Sequence, residues 1–218
     1  MWQEKILFID AEALVIDKPA GLDVHPGKAT RESLEDYLGD LRFGFQREPT
    51  PVHRLDRDTS GCLLLARNPK AHKRFAAAFE ARAVEKVYLA VLAGVPEAEE
   101  GVVDMPLGKT STREAGWRMV ADPAGKPART GWRRLAVKDK RALVRMMPQT
   151  GRTHQLRVHA SEGIGVPIAG DPVYGGGRGP MLLHALRLKV DRGDKPAIEA
   201  EAPLPPTFLQ AGFGDEDL

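Results

Sequence analysis

With 218 residues, 42% of them hydrophobic and 28% charged, the chain has the composition of a globular protein, long enough for one large domain or two small ones. One cysteine excludes an internal disulfide and cannot build a thiolate metal site by itself, and no run of about 18 apolar residues offers a membrane span. The net charge of +2, from 32 basic and 30 acidic residues, says little about a polyanionic partner, so any such sign must come from how charge is distributed. The N-terminus has no basic region followed by an apolar core, which leaves the cytoplasm as the expected location.

Lys5-Ile-Leu-Phe-Ile-Asp10 and Ala13-Leu-Val-Ile-Asp17 are short apolar runs that predict two paired strands. Lys18-Pro-Ala-Gly21 ends the second, because proline cannot donate to a ladder and glycine permits a turn. Leu34, Tyr37, Leu38 and Leu41 are spaced for a helix capped by Thr30 or Ser33. Then comes Pro51-Val-His-Arg-Leu-Asp-Arg-Asp-Thr-Ser-Gly-Cys-Leu-Leu-Leu-Ala66. Arg54, Asp56, Arg57 and Asp58 crowd the mouth of an apolar run, Cys62–Ala66, that reads as a strand buried on both faces. Desolvating such groups opposes folding unless they pair, and chemistry commonly sits on loops fixed this way. A solvated loop with local ion pairs would show the same composition.

Asn68-Pro69 fits an N-cap with proline at the first helical position, and the helix it opens places Phe75, Ala78, Phe79 and Arg82 on one core-facing stripe. Val87-Tyr-Leu-Ala-Val-Leu-Ala93 predicts a buried strand in which Tyr88 is the one polar handle, open to a core or a site role. Residues 108–127 show no period and predict a long loop or loose hairpin. Trp132–Ala136 and Ala142–Met147 predict a hairpin. Between Arg129 and Arg145 stand seven basic residues (Arg129, Arg133, Arg134, Lys138, Lys140, Arg141, Arg145) against one acid, Asp139. Such a stripe suits either a phosphate-backbone contact or a charged outer face. The aromatic content of 6% speaks against an extended stacking platform, so recognition of RNA is expected to rest on shape and phosphates.

Pro148-Gln-Thr-Gly-Arg-Thr-His-Gln-Leu-Arg-Val-His159 predicts a turn followed by a short helix with Thr153 as N-cap and His154, Arg157 and Ser161 on one face. His154 and His159 are five apart, which does not suit two metal ligands on one helical face, and no metal is expected. The last four residues, Asp-Glu-Asp-Leu, predict a disordered acidic tail.

His53-Arg-Leu-Asp-Arg-Asp-Thr-Ser-Gly61 resembles the signature of the RluA-type pseudouridine synthases, in which the aspartate after His-Arg-Leu is the nucleophile. Lys18–Gly27, Lys86–Gly94, Gly125–Thr130, Thr150–His159, Gly165–Gly175, Leu182–Lys189 and Glu199–Pro203 resemble further family segments in the family's order. Val166 stands where members often carry histidine. The resemblance implies Asp56, Tyr88 and Arg157 as catalytic residues, with Arg157 the partner of the aspartate. It implies His53, Arg54, Arg57, Arg152 and His154 as substrate or RNA contacts, Arg54 taking the space of an extruded uridine. The small helical RNA-binding domain that many relatives carry in front is expected to be missing, so that recognition rests on this domain alone.

The expected chemistry breaks a glycosidic bond and rejoins uracil through carbon 5, which asks for an ionised carboxylate near the anomeric carbon. A buried arginine would keep such a carboxylate charged. The expectation is therefore one α+β domain over residues 1–218, a mostly antiparallel mixed sheet with the pseudouridine synthase fold and its cleft. The partner is structured RNA, ribosomal or transfer, with no DNA, membrane, metal or cofactor, and the chain is a monomer. Two other classes compete: a glycoside hydrolase using Asp56 and Asp58, whose separation the loop does not assure, and a catalytically silent RNA-binding relative.

Overall fold

The structure, a computed structural model, describes residues 2–27, 30–112 and 116–218. In chain order its strands and helices are β1 (Ile6–Ile9), β2 (Ala13–Lys18), β3 (Thr50–Pro51), β4 (Ser60–Ala66), α1 (Pro69–Glu80), β5 (Val84–Leu92), β6 (Glu100–Asp104), β7 (Leu107–Thr112), β8 (Gly116–Ala121), β9 (Arg129–Lys138), β10 (Arg141–Pro148), α2 (Gln155–Val158), β11 (Leu183–Arg192), β12 (Lys195–Glu201) and α3 (Pro206–Gln210). The chain divides into two compact units, Met1–Lys86 with Ala185–Pro203 and Val87–His184 with Leu204–Leu218.

The first unit is built on the strand order β1-β2-β4-β11, with β3 also pairing β4 and β12 pairing β11. The two apolar runs at the N-terminus form an antiparallel pair, and β2 runs antiparallel to β4 in turn. The Asn68 side chain accepts from the Ala71 amide, Pro69 opens α1, and Ala71 and Phe75 pack on Cys62, Leu64 and Ala66. Phe75, Ala78 and Phe79 face the core as the sequence predicts, whereas Arg82, expected on the same stripe, lies past the end of α1, exposed and at φ 59°. Burial pushes the Cys62 thiol up to about 12, so the cysteine is a small core side chain and not a nucleophile. The expected helix after Thr30 shrinks to one 3-10 turn, Leu34–Tyr37, closed by a Ser33–Asp36 capping box.

Gly61 is where the charged loop enters the core. Its φ is +104°, and a Cβ there would lie 2.2 Å from the Ala185 carbonyl oxygen of β11. Both the backbone conformation and the close approach of β11 require glycine. Gly61→Ala is expected to lose at least about 2 kcal/mol of stability, read by urea denaturation; a variant as stable as the parent would refute this packing.

The second unit carries the order β5-β10-β9-β6, each neighbour antiparallel to the next. The predicted hairpin is longer than its apolar pattern, because β9 and β10 continue past the core to the turn at Asp139 and Lys140. Those two residues have φ of 48° and 60°, the left-handed pair that a two-residue hairpin turn demands. Ala90, Leu92, Ala142, Val144 and Met146 form the sheet's inner layer beneath Leu156, Ala160 and Ile168. The stretch 108–127, expected as a loop or loose hairpin, carries nearly all of the two-stranded sheet β7–β8 and then a turn; residues 113–115 of that stretch lie outside the described residues. The expected acidic tail is instead a 3-10 turn, Asp215–Asp217. Asp217 accepts from the Gly214 amide at 3.0 Å and pairs with Lys138 at 2.5 Å, a partner too distant in sequence to anticipate.

Candidate active site

The charged loop of the first unit is anchored through its backbone. Lys18, at the end of β2, is fully buried, and its ammonium donates to the carbonyls of Pro19 (2.7 Å), Leu22 (2.8 Å) and Arg57 (3.1 Å). The Gly21 amide also donates to the Arg57 carbonyl at 2.8 Å, and Arg57 Nε returns a bond to the Gly21 carbonyl at 3.0 Å. The Thr59 amide closes a turn on the Asp56 carbonyl at 3.1 Å. Asp56 is thus the first residue of a tight turn tied at its centre to a second loop, with its side chain half-buried. Burial lowers the Lys18 amine to about 8, while Asp58, Asp23, Asp56 and Asp17 pull it back up. In the sequence Lys18 only opens a Pro/Gly loop; the fold shows it as the fastening of the charged loop.

The other residues of the signature take different positions. Arg54 and Arg57 are exposed. His53 is half-buried and turned inward: its Nε2 accepts from the Leu64 amide at 3.0 Å and its ring stacks on Phe79 with centroids 4.5 Å apart. Burial, helped by the nearby Lys86 charge, lowers its pKa to about 3. A histidine held below its ordinary 6.5 takes up its proton more readily in the unfolded chain, so stability falls as pH falls from about 6.5 toward 3. Between pH 7 and pH 5 the parent is expected to lose about 1–2 kcal/mol more than His53→Gln, whose amide oxygen can still accept from Leu64. Parallel losses in urea titrations would contradict this.

In the second unit, Tyr88 lies half-buried on β5 opposite Met146 of β10. Arg157 is buried on α2, where its Nε and Nη2 donate to the two carboxylate oxygens of Asp171 at 2.7 and 2.8 Å. Asp171 also accepts from the Val173 and Tyr174 amides, and the guanidinium lies over the Tyr174 ring at 5.1 Å. Burial alone would raise the Asp171 carboxyl; the bonds and charge of Arg157, with the two amides, hold it below the usual range. Asp171 is a residue the sequence reading did not single out, although Gly170-Asp171-Pro172 marks a turn in a segment the family shares.

α2 does not start at Thr153. His154 is its N-cap, in the left-handed region at φ 53°, and Gln155 is what orders the approach. The Gln155 amide oxygen accepts from Thr150 Oγ1 (2.6 Å) and the Arg152 amide (3.0 Å), while its nitrogen donates to the Arg129 carbonyl (3.1 Å) and Thr130 Oγ1 (3.0 Å). His159 Nε2 faces the Met105 carbonyl at 3.1 Å and must carry the proton there, so Nδ1 accepts from Thr130 Oγ1 at 2.9 Å. Burial lowers the His159 pKa, in keeping with a neutral ring. Thr150, Gln155 and His159 therefore fix the Thr150–His159 segment against β9. Arg152 gives its Nε to the Pro127 carbonyl at 3.1 Å, and His154 Nδ1 lies 2.9 Å from the Tyr174 hydroxyl.

The basic stripe reads differently in three dimensions. β6 lies antiparallel beside β9 and sets Asp104 on Arg129 (2.9 Å), Glu100 on Arg133 (2.6 Å) and Glu99 on Arg134 (2.8 Å). Lys138 pairs with Asp217, and Arg141 donates to the Ala211 carbonyl. Four of the seven cations are paired with carboxylates of the protein itself, which favours the charged outer face of the two readings. Among the described residues no group of histidine, cysteine, aspartate and glutamate could hold a metal ion, and no helix is long and apolar enough to cross a membrane.

Residues 12–162 match the family model described as RNA pseudouridylate synthase. The chain is 56% identical over 214 residues to an uncharacterized RNA pseudouridine synthase of Zymomonas mobilis, covering 96% of this chain and 98% of that one. It is 43% identical over 176 residues to the ribosomal large subunit pseudouridine synthase D of Nitrosomonas europaea, covering 78% of this chain and 49% of that protein, so it spans about half of that relative's length. Among solved structures, human RNA pseudouridylate synthase domain containing 4 superposes with a TM-score of 0.81 at 28% identity, over 96% of this chain and 92% of that one. The α+β architecture with its large, mainly antiparallel sheet is that fold. The motifs, the fold and the relatives agree, and the chain belongs to the RluA-type family of RNA pseudouridine synthases, which are isomerases acting on RNA.

Proposed function

We propose that the chain converts particular uridines of structured ribosomal or transfer RNA to pseudouridine, with Asp56 as the nucleophile and Tyr88 and Arg157 as the other catalytic residues. The observation that carries this reading is the fastening of the Asp56 turn to Lys18 and Gly21, which holds a half-buried carboxylate on a preorganised loop. The reaction breaks the bond from the ribose anomeric carbon to N1, turns the ring, and forms the bond to C5. The C5 proton leaves and N1 takes one up, so neither an oxidant nor a co-reactant enters the balance. A carboxylate answers the positive charge that develops at the sugar, or attacks it. Exposed Arg54 suits the displacement of a uridine from its stack, and Arg152 and His154 are carried over as RNA contacts. The enzyme is taken to act as a monomer in the cytoplasm.

Purified protein incubated with unmodified ribosomal and transfer RNA transcripts, in separate reactions, tests this directly. Carbodiimide labelling followed by reverse transcription is expected to show new stops at one or a few uridines in one of the two RNA classes. Transcripts that all stay unmodified would sink the reading, whereas RNA binding without modification would favour the silent binder.

A further inference from the structure

The hairpin β7–β8 lies on α2 by one face, and the two halves of that face differ. Its inner half is core: Leu107 packs with Ala128 and Val158, and Met119 joins them. The Met119 amide donates to the Tyr174 hydroxyl at 3.1 Å and the Ala121 amide to Glu162 at 3.2 Å. The outer half carries Trp117, which alternation from Met119 places on the same face. Its indole is stacked on the His154 ring with centroids 5.1 Å apart and planes at 29°, and Lys109 Nζ lies 5.3 Å from the ring centre. Yet Trp117 is 50% exposed, while Trp2 and Trp132, the other two tryptophans, are 8% and 7% exposed.

A rigid indole kept half in water, backed by a second ring and flanked by exposed Lys109, joins the two parts of a single-strand RNA contact. The aromatic face takes a base and the cation takes a phosphate. His154 is held in a left-handed conformation that non-glycine residues rarely adopt, and its Nδ1 faces Tyr174, so the backing ring is fixed before any ligand arrives. We propose that Trp117, with His154 behind it and Lys109 beside it, is a stacking site for an unpaired nucleobase of the RNA substrate. The inference rests on the synthase reading and deepens it: recognition uses a stacked base as well as shape and phosphates.

Tryptophan emission reports on this site, because Trp117 is the exposed fluorophore of the three. The probes are an adenosine RNA octamer and a ribose-phosphate octamer without bases, titrated at low salt into the parent, Trp117→Phe and Trp117→Ala. The adenosine octamer is expected to quench the parent strongly and the abasic octamer to leave it little changed. The variants lack this fluorophore, so affinity is compared through the anisotropy of an end-labelled adenosine octamer: it should fall roughly 5- to 100-fold in Trp117→Ala, with Trp117→Phe keeping most of it. On modifiable RNA, Trp117→Ala should raise KM and leave kcat nearly unchanged. The inference is overturned if the parent does not bind the adenosine octamer, if the abasic octamer quenches equally, or if Trp117→Ala binds as tightly as the parent. Modification by the parent is measured on the same preparations. An inactive parent defeats the synthase reading, whereas an active parent with indifferent Trp117 variants defeats the stacking site alone.

Discussion

Asp56→Asn is expected to abolish pseudouridine formation, by on the order of 10⁴-fold or more in single-turnover rate, while leaving the protein folded. The substitution keeps the shape of the side chain and removes the negative charge that the developing sugar cation needs. The bonds that fasten the turn run from the Lys18 ammonium, the Gly21 amide and the Thr59 amide to backbone carbonyls, and Arg57 returns one to Gly21. These bonds run through the backbone and the Asp56→Asn variant retains them, so the turn should stay fastened, which circular dichroism and thermal melting check alongside the rate. Release of tritium from carbon 5 of labelled uridine in RNA measures the rate. A variant with more than a tenth of the parent's rate would remove Asp56 from the nucleophile's role.

The second large effect concerns Arg157. Asp171→Ala leaves a buried guanidinium without the carboxylate that grips it at two nitrogens, and removing one partner of a buried pair costs about 3–5 kcal/mol. Asp171→Asn, which can still accept one bond, should cost less. Because the Asp171 carboxyl is held below its ordinary range, its contribution is present above the unfolded value and is lost as pH falls through the folded one. Urea denaturation reads the stability, and activity at a temperature where both variants are folded reads the positioning of Arg157. An Asp171→Ala protein as stable as the parent would show that the pair contributes nothing.

The local rules located most elements. Asn68-Pro69 opens α1 because an amide side chain and a proline answer the needs of a helix start, and Gly61 marks the entry of β4 because no other residue fits beside Ala185. What the sequence withheld were bonds between residues far apart. Lys18 reaches Arg57 across 39 positions, and Gln155 reaches Thr130 across 25. Glu99 and the acids of β6 pair with three arginines of a basic stripe that looks bare in one dimension. His154 takes the N-cap place expected of Thr153, in a backbone conformation that propensity disfavours. β7–β8 was legible only as a loop or loose hairpin because Leu107 alone of the β7 strand is buried, so it lacks the alternation that announces a strand. Of the candidate site, the residue types were legible through the family resemblance; the fastenings of Asp56 and Arg157 were not.

The most direct measurement maps pseudouridine across total RNA from cells with and without this gene, the deletion being complemented by the parent or by Asp56→Asn. One or a few carbodiimide-dependent stops should vanish on deletion and return with the parent alone, which would identify the substrate and the nucleophile together. Stops that return with Asp56→Asn, or a pattern that never changes while the purified protein modifies no RNA from the deletion strain, would contradict the account.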